Sequence, residues 1–84
     1  MPAAGGWFIC NVVSAGPDEN GNVLVRLTDS GGTFQARWFN AVATAKREML
    51  ATALATMTSG FKVDAELVST DEYSQLNRLY IRSN

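Results

Sequence analysis

The sequence predicts a mainly β domain with one helix, in the order strand-strand-strand-helix-strand-strand. Only residues 42–59 combine apolar side chains at helical spacing with high helix propensity and no internal Pro or Gly. Five other segments show strand-like alternation, and clusters rich in Gly, Asp and Asn separate most of them. One helix is too few for the crossovers of a parallel sheet, so a parallel α/β arrangement is disfavoured. The 84 residues suit a single domain, in which residues 1–6 are expected to be a disordered tail.

Three strands are predicted before the helix, with the bounds Trp7–Ser14, Asn22–Thr28 and Thr33–Asn40. The first strand is apolar on both faces, which is typical of a strand that is central or curls around a core. In the second strand one face carries Val23, Val25 and Leu27. In the third strand, alternation places Phe34, Ala36 and Trp38 on one face. Gln35, Arg37 and Phe39 lie on the other face.

The predicted helix runs from Val42 to Ser59 and ends at Gly60, which suits the left-handed C-cap position. Asn40 or Thr44 is the expected N-cap. We expect its apolar stripe to pack on the core; the stripe consists of Val42, Ala45, Met49, Ala53 and Met57, with Leu50 and Leu54 beside them.

Two strands are predicted after the helix, Phe61–Ser69 and Tyr73–Arg82. The fourth strand alternates most regularly, and its inward set is expected to be Phe61, Val63, Ala65 and Leu67. In the fifth strand, Leu76 is out of phase with Leu79 and Ile81, which predicts a β-bulge near Asn77.

The composition argues against an enzyme. The chain has no histidine, which removes the usual general base and the commonest metal ligand. Its one cysteine, Cys10, is expected to be a small buried hydrophobe. No catalytic residue, metal site or cofactor is therefore predicted. No apolar run is long enough to span a membrane, and the net charge of −1 offers no positive field to capture nucleic acid.

The order of the elements resembles that of the OB-fold, in which a helix between the third and fourth strands covers one end of the barrel. This resemblance implies a five-stranded Greek-key barrel. The alternative is an α+β sheet with the helix packed across one face.

Residues 46–84, from KREMLATALATMTSG to LYIRSN, also resemble the end of the cholera-toxin-type B subunits in element lengths and apolar placement. Those subunits form ring pentamers that bind cell-surface glycans. One cysteine cannot form their intrachain disulfide, and no glycan-binding residue matches, so only the architecture and a possible ring are implied.

The resemblance directs attention to the outer surface of the second and third strands, where OB-folds bind their ligands. The expected ligand-binding residues there are Arg26, Gln35, Arg37 and Phe39, with Phe8 from the first strand. Arginines beside aromatic rings can stack on a sugar or a base. We therefore expect a non-enzymatic binding module for a glycan or a protein surface. Two alternatives stay open: a single-stranded nucleic-acid-binding OB-fold, and a purely structural homo-oligomer. Self-association as a ring or dimer is expected because so small a core has neither disulfide nor metal to support it.

Overall fold

Five β-strands close into a barrel with one α-helix, in a computed structural model that describes residues 5–83. The strands are β1 (Gly6–Pro17), β2 (Val23–Asp29), β3 (Arg37–Ala41), β4 (Lys62–Leu67) and β5 (Gln75–Arg82). A 3-10 turn (Ala43–Ala45) leads into the helix α1 (Lys46–Ser59). The order around the barrel is β1-β2-β3-β5-β4. The predicted element order and the five-stranded barrel are confirmed, and the open α+β sheet is wrong.

The long first strand is shared by two neighbours. Its first half, from Gly6 to Cys10, pairs with β4, and its second half, from Cys10 to Pro17, pairs with β2. The strand therefore curls around the core, as its two-sided apolar pattern predicts. Of the expected tail, residues 1–4 lie outside the described residues, whereas Gly6 already belongs to β1.

The barrel closes through a short parallel contact between β3 and β5. Only two residue pairs form it, Asn40 with Gln75 and Ala41 with Leu76, and all other strand pairs are antiparallel. The core inside the barrel contains the inward sets predicted for β2 and for β4 from Val63 onward. Phe61 is the exception, because it precedes β4 and its side chain is exposed. The bulge near Asn77 is confirmed, since Glu66 pairs with Arg78 and Leu67 with Leu76.

The third strand begins at Arg37, four residues later than predicted, because Ala36 adopts a positive φ of 44°. This conformation interrupts the extended chain and reverses the alternation after it. Phe34 and Phe39 consequently both point into the core, where their rings pack edge to face at 5.1 Å. Trp38 lies on the outer side instead. The expected outward position of Phe39 is therefore wrong.

The helix segment packs most of the predicted stripe on the core. Met49 and Ala53 are buried, and Val42, Ala45 and Leu50 pack against the core partly buried. The prediction is wrong for Leu54 and Met57, which are exposed, and Thr56 is buried in addition. Thr56 tolerates burial because its hydroxyl donates to the carbonyl oxygen of Thr52 at 2.8 Å.

The two ends of the helix differ in how well the sequence predicted them. Neither Asn40 nor Thr44 caps the N-terminus, because the 3-10 turn makes Ala45 the N-cap, and Ala45 has no side-chain cap. At the other end, Gly60 adopts the predicted left-handed conformation and donates its N–H to the carbonyl oxygen of Thr56. Across the described part of the chain, no helix has the length and apolarity needed to cross a bilayer.

Candidate ligand-binding site

The five residues that the sequence suggested for ligand binding do not meet on one surface. Phe39 is fully buried, and Phe8 faces the core, where its ring packs against Phe34. Gln35 is exposed in the turn before β3. Arg37 is half-buried at the end of the barrel, opposite the core residue Leu27.

Arg37 has a structural contact. Its guanidinium donates to the carbonyl oxygen of Thr70 at 2.6 Å and lies 6.0 Å from the centre of the Phe34 ring. This bond ties the β4–β5 loop to the start of β3, so Arg37 is engaged within the fold.

Arg26 is the one suggested residue on the outer surface of β2 and β3. Its guanidinium lies 5.7 Å from the ring centre of Trp38, and its Nε donates to the carbonyl oxygen of Ala36 at 3.0 Å. The sequence analysis missed Trp38 because it assumed regular alternation from Phe34 through Ala36, which placed Trp38 on the same face as Phe34 and away from the expected binding surface. An alanine gives no sequence signal for a positive φ, so the reversal was not predictable.

A polar cavity of about 260 Å³ opens beside this surface, at the ends of β2, β3 and β5. We call it the polar cavity; its lining residues are Asn22, Asn40, Ala41, Ala43, Lys46, Tyr73 and Gln75. They come from the β1–β2 loop, β3, the 3-10 turn, α1, the β4–β5 loop and β5. None of the polar ones was suggested from sequence, because the parallel pairing of β3 with β5 brings them together over long sequence distances.

Two amide side chains lie next to each other in the polar cavity. The parallel register pairs Asn40 with Gln75 directly across β3 and β5. On the β2 side, Asn40 is the register partner of Leu24, which places it on the outer face of the barrel. The Gln75 Nε2 donates to the Asn77 Oδ1 at 2.6 Å. The second amide hydrogen and the Oε1 of Gln75, together with the Asn40 amide, can bind groups that both donate and accept hydrogen bonds.

Tyr73 forms the rim of the cavity in an uncommon backbone conformation. Its φ is 66°, and its N–H donates to the carbonyl oxygen of Trp38 at 2.6 Å. Its side chain is 60% exposed. The loop around it is held by hydrogen bonds among Ser69, Asp71 and Ser74. A tyrosine in a strained, well-anchored loop presents its ring to solvent without the loop having to reorder on binding.

The remaining polar groups of the cavity are also held in place. The Lys46 ammonium donates to the carbonyl oxygen of Gly21 at 2.9 Å. The Asp18 carboxylate accepts the backbone N–H and the side-chain amide of Asn22. Although desolvation raises the pKa of Asp18, these bonds and one from Asn20 lower it below its ordinary value. Asp18 therefore stays ionised at neutral pH and keeps Asn22 at the cavity.

The polar groups that line the cavity are hydrogen-bond donors and acceptors and one cation. Its lining contains amides, a phenol and an ammonium, but no carboxylate or thiol. The only thiol, that of Cys10, is buried in the core, and its pKa is raised to about 12, first by desolvation and then by Asp29 and Asp64. Within residues 5–83, no three His, Cys, Asp or Glu side chains come together as a metal site.

Comparison with known proteins yields no relative: no family model, curated protein or solved structure matches this chain. What the structure shows is a small closed β-barrel with a polar cavity beside its β3–β5 contact.

Proposed function

We propose that this protein is a non-enzymatic binding module of OB-fold type whose polar cavity binds a glycan. The observation that carries the proposal is the pair of amides, Asn40 and Gln75, beside the exposed ring of Tyr73. Sugar hydroxyls donate and accept hydrogen bonds as amides do, and the C–H face of a sugar packs on an aromatic ring. One pair of adjacent amides and one ring thus match the two kinds of surface that a sugar presents.

The position of the cavity supports the proposal. OB-folds bind oligosaccharides and oligonucleotides on the surface of strands two and three and on the β1–β2 and β4–β5 loops. Here Asn22 stands at the end of the β1–β2 loop and Tyr73 in the β4–β5 loop, on either side of Asn40. The order β1-β2-β3-β5-β4, with the helix between β3 and β4, also fits that fold.

A glycan array followed by calorimetric titration of the best ligand tests the proposal. We expect Asn40→Ala and Tyr73→Ala each to weaken binding about tenfold, which corresponds to about 1.4 kcal/mol and is of the size of one or two lost hydrogen bonds. Asn11→Ala is the matched control, because Asn11 is an exposed asparagine on β1 outside the cavity lining. An array without ligands, or cavity variants that bind like the control, would contradict the proposal.

Single-stranded nucleic acid is the second candidate ligand, and one observation favours it. The Arg26 guanidinium over the Trp38 ring forms a half-buried cation–π pair on the outer surface of β2 and β3, where a base could stack. Binding to nucleic acid falls steeply as salt rises, because counterions are released, whereas binding to a neutral glycan does not. Titration at two salt concentrations separates the two ligands. The net charge of −1 favours the glycan.

Two further candidates belong to the same test. A protein surface, which the sequence also suggested, would bind the Tyr73 rim and lose affinity with Tyr73→Ala but not with Asn40→Ala. A purely structural homo-oligomer would bind neither a glycan nor an oligonucleotide, and none of the cavity variants would change its assembly.

A further inference from the structure

A second exposed surface lies on β1, β4 and β5, away from the lining of the polar cavity. We call it the paired-charge face; its residues are Trp7 and Ile9 on β1, Asp64 and Glu66 on β4, and Arg78, Tyr80 and Arg82 on β5. The side chains of Trp7 and Tyr80 are 49% and 53% exposed, and Ile9 is exposed beside them. Large apolar side chains grouped in this way on a small domain mark an interaction surface.

The two aromatic rings of this face are already ordered. Trp7 and Tyr80 stack across β4 with their centres 5.7 Å apart and an angle of 21° between their planes. Each ring is therefore fixed before any partner arrives, and little side-chain entropy is lost when a partner covers it. Trp, Tyr and Arg are also the residues that contribute most at the centres of protein interfaces.

The charges of the face are arranged in two columns of opposite sign. The carboxylates lie on β4 and the guanidiniums on the adjacent β5, with Glu66 3.4 Å from Arg78 and Asp64 2.9 Å from Arg82. With Lys62 at its far end, the face carries three basic side chains and two carboxylates, an excess of one, so it offers no strong positive field for an anionic membrane or nucleic acid. Its central Glu66–Arg78 pair is instead complementary to its own image.

We propose that the paired-charge face binds a second copy of this chain about a two-fold axis that runs along the strands, between β4 and β5. Such a rotation exchanges the two columns but keeps the level of each residue along the strands. Glu66 of one copy then faces Arg78 of the other, and the reverse contact is identical, as in any isologous interface. The Trp7–Tyr80 stacks of both copies meet near the axis.

A groove beside the face agrees with this two-fold axis, whereas one pair of charges at the far end opposes it. A groove of about 240 Å³ between α1 and β5, lined by Met49, Leu79 and Tyr80 among others, borders the face where β1 of the second copy would lie. At the far end, Lys62 faces Arg82 of the other copy, and these like charges repel each other. The repulsion is weak because both side chains lie at the rim, where salt screens them. Burying the aromatic centre would also add to the modest core that an 84-residue domain can form.

Sedimentation equilibrium tests the dimer, and two matched substitutions test the face. We expect the wild type to dimerise and Trp7→Ser to be monomeric but folded, as shown by circular dichroism. Leu54→Ser is the control, because Leu54 is similarly exposed on the outer side of α1 and should leave the dimer intact. Trp7→Ser should still bind the best glycan from the array as the wild type does, which separates this proposal from the proposed function. Should Trp7→Ser prove unfolded, Tyr80→Ser makes the same test from β5.

A charge exchange tests the two-fold axis itself. The double variant Glu66→Arg/Arg78→Glu keeps the ion pair within each chain and restores it between two copies of the variant. In a mixed dimer with the wild type, however, like charges would oppose each other. We expect both proteins to dimerise alone, with mixed dimers about tenfold rarer than random exchange gives, by native mass spectrometry. A wild type that stays monomeric at about 0.5 mM, free mixing, a dimeric Trp7→Ser, or loss of the dimer in Leu54→Ser would each overturn the proposal.

Discussion

At the scale of single residues, backbone conformation decides which side chains reach the surface. Ala36 and Tyr73 are the two residues other than glycine with positive φ in the described chain. Ala36 reverses the alternation of β3, which moves Phe39 into the core and Trp38 outward. Tyr73 lies in the turn that leads into β5 and presents its ring at the polar cavity. A positive φ is sterically unfavourable for both residues, because each has a Cβ that glycine lacks. Contacts with neighbouring residues must therefore stabilise this conformation.

Gly60 provides a direct test of such a steric cost. Its φ is 80°, so Gly60→Ala should lower the free energy of unfolding by about 1 kcal/mol, because a Cβ disfavours the left-handed region. Gly16→Ala in β1 is the matched control: Gly16 has no positive φ, and a Cβ there meets no atom within 4 Å. Urea denaturation measures both. If the two substitutions lowered the free energy of unfolding equally, the positive φ at Gly60 would not be the cause of the destabilisation.

Asp29 makes stability depend on pH. Desolvation raises the pKa of its carboxyl, but hydrogen bonds from Thr33 and Gly31 outweigh this and hold the pKa below its usual value of 3.8. The unfolded chain therefore binds the proton more tightly, and the stability that Asp29 contributes is present above pH 3.8 and lost as pH falls through the folded pKa. We expect the acid-dependent loss of stability below about pH 4 to be smaller in Asp29→Asn. Thermal melts across that range measure it, and an unchanged pH profile would contradict the assignment.

At the scale of elements, contact with the barrel decides which face of the helix is buried. Seen alone, the sequence makes Leu54 and Met57 as suitable for the core as Met49 and Ala53. The helix instead lies with Ala53 and Thr56 inward, which small side chains allow because they let the helix approach the strands closely. Hydrophobic spacing identified the helix and the buried positions of Met49 and Ala53, but steric fit against the strands buried Thr56 and left Leu54 and Met57 exposed.

The burial of Ala53 predicts an asymmetry between neighbours on α1. Ala53 has no exposed surface, so Ala53→Leu should cost about 1–3 kcal/mol through overpacking. Leu54→Ala should change stability by less than about 0.5 kcal/mol, because Leu54 is 47% exposed and small changes are usual at such sites. Urea denaturation of the two variants tests the exposed position of Leu54, because a Leu54 packed on the core would make Leu54→Ala cost about 2–5 kcal/mol.

At the scale of the whole molecule, the barrel is held unevenly. β1 pairs along most of its length with β2 and β4, whereas β3 and β5 share only two residue pairs. The polar cavity lies at this short contact, since Asn40 and Gln75 form one of the pairs. The site and the weakest seam of the barrel thus coincide, which agrees with the general tendency of binding regions to be drawn from the less stable parts of a fold.

Hydrogen exchange can locate this seam. The N–H of Asn40 donates to Ser74 and that of Val42 to Leu76, across the β3–β5 contact. We expect these two amides to exchange through local opening, faster than the amides of Val63 and Ala65, which lie between β1 and β5 in the middle of the sheet. Exchange followed by NMR measures all four. Uniform protection would show that the barrel opens only as a unit, and a cavity ligand should slow Asn40 selectively.

Most of the fold could be predicted from the sequence, but little of the candidate site. The order of the elements, the inward faces of β2 and β4, the C-cap at Gly60 and the bulge at Asn77 each follow from residues close together in the chain. The suggested Arg26 did reach the outer surface, whereas Phe39 did not. The residues of the polar cavity were missed because no local pattern relates Asn22 to Gln75.

The sequence by itself determined the segments, because periodicity, turn residues and helix propensity are local properties of the chain. The tertiary structure alone decided the phase of β3 after Ala36, the exposure of Leu54 and Met57 on α1, and the meeting of Asn40 with Gln75. These depend on barrel closure, in which strands distant in sequence must satisfy one another's hydrogen bonds and share one core.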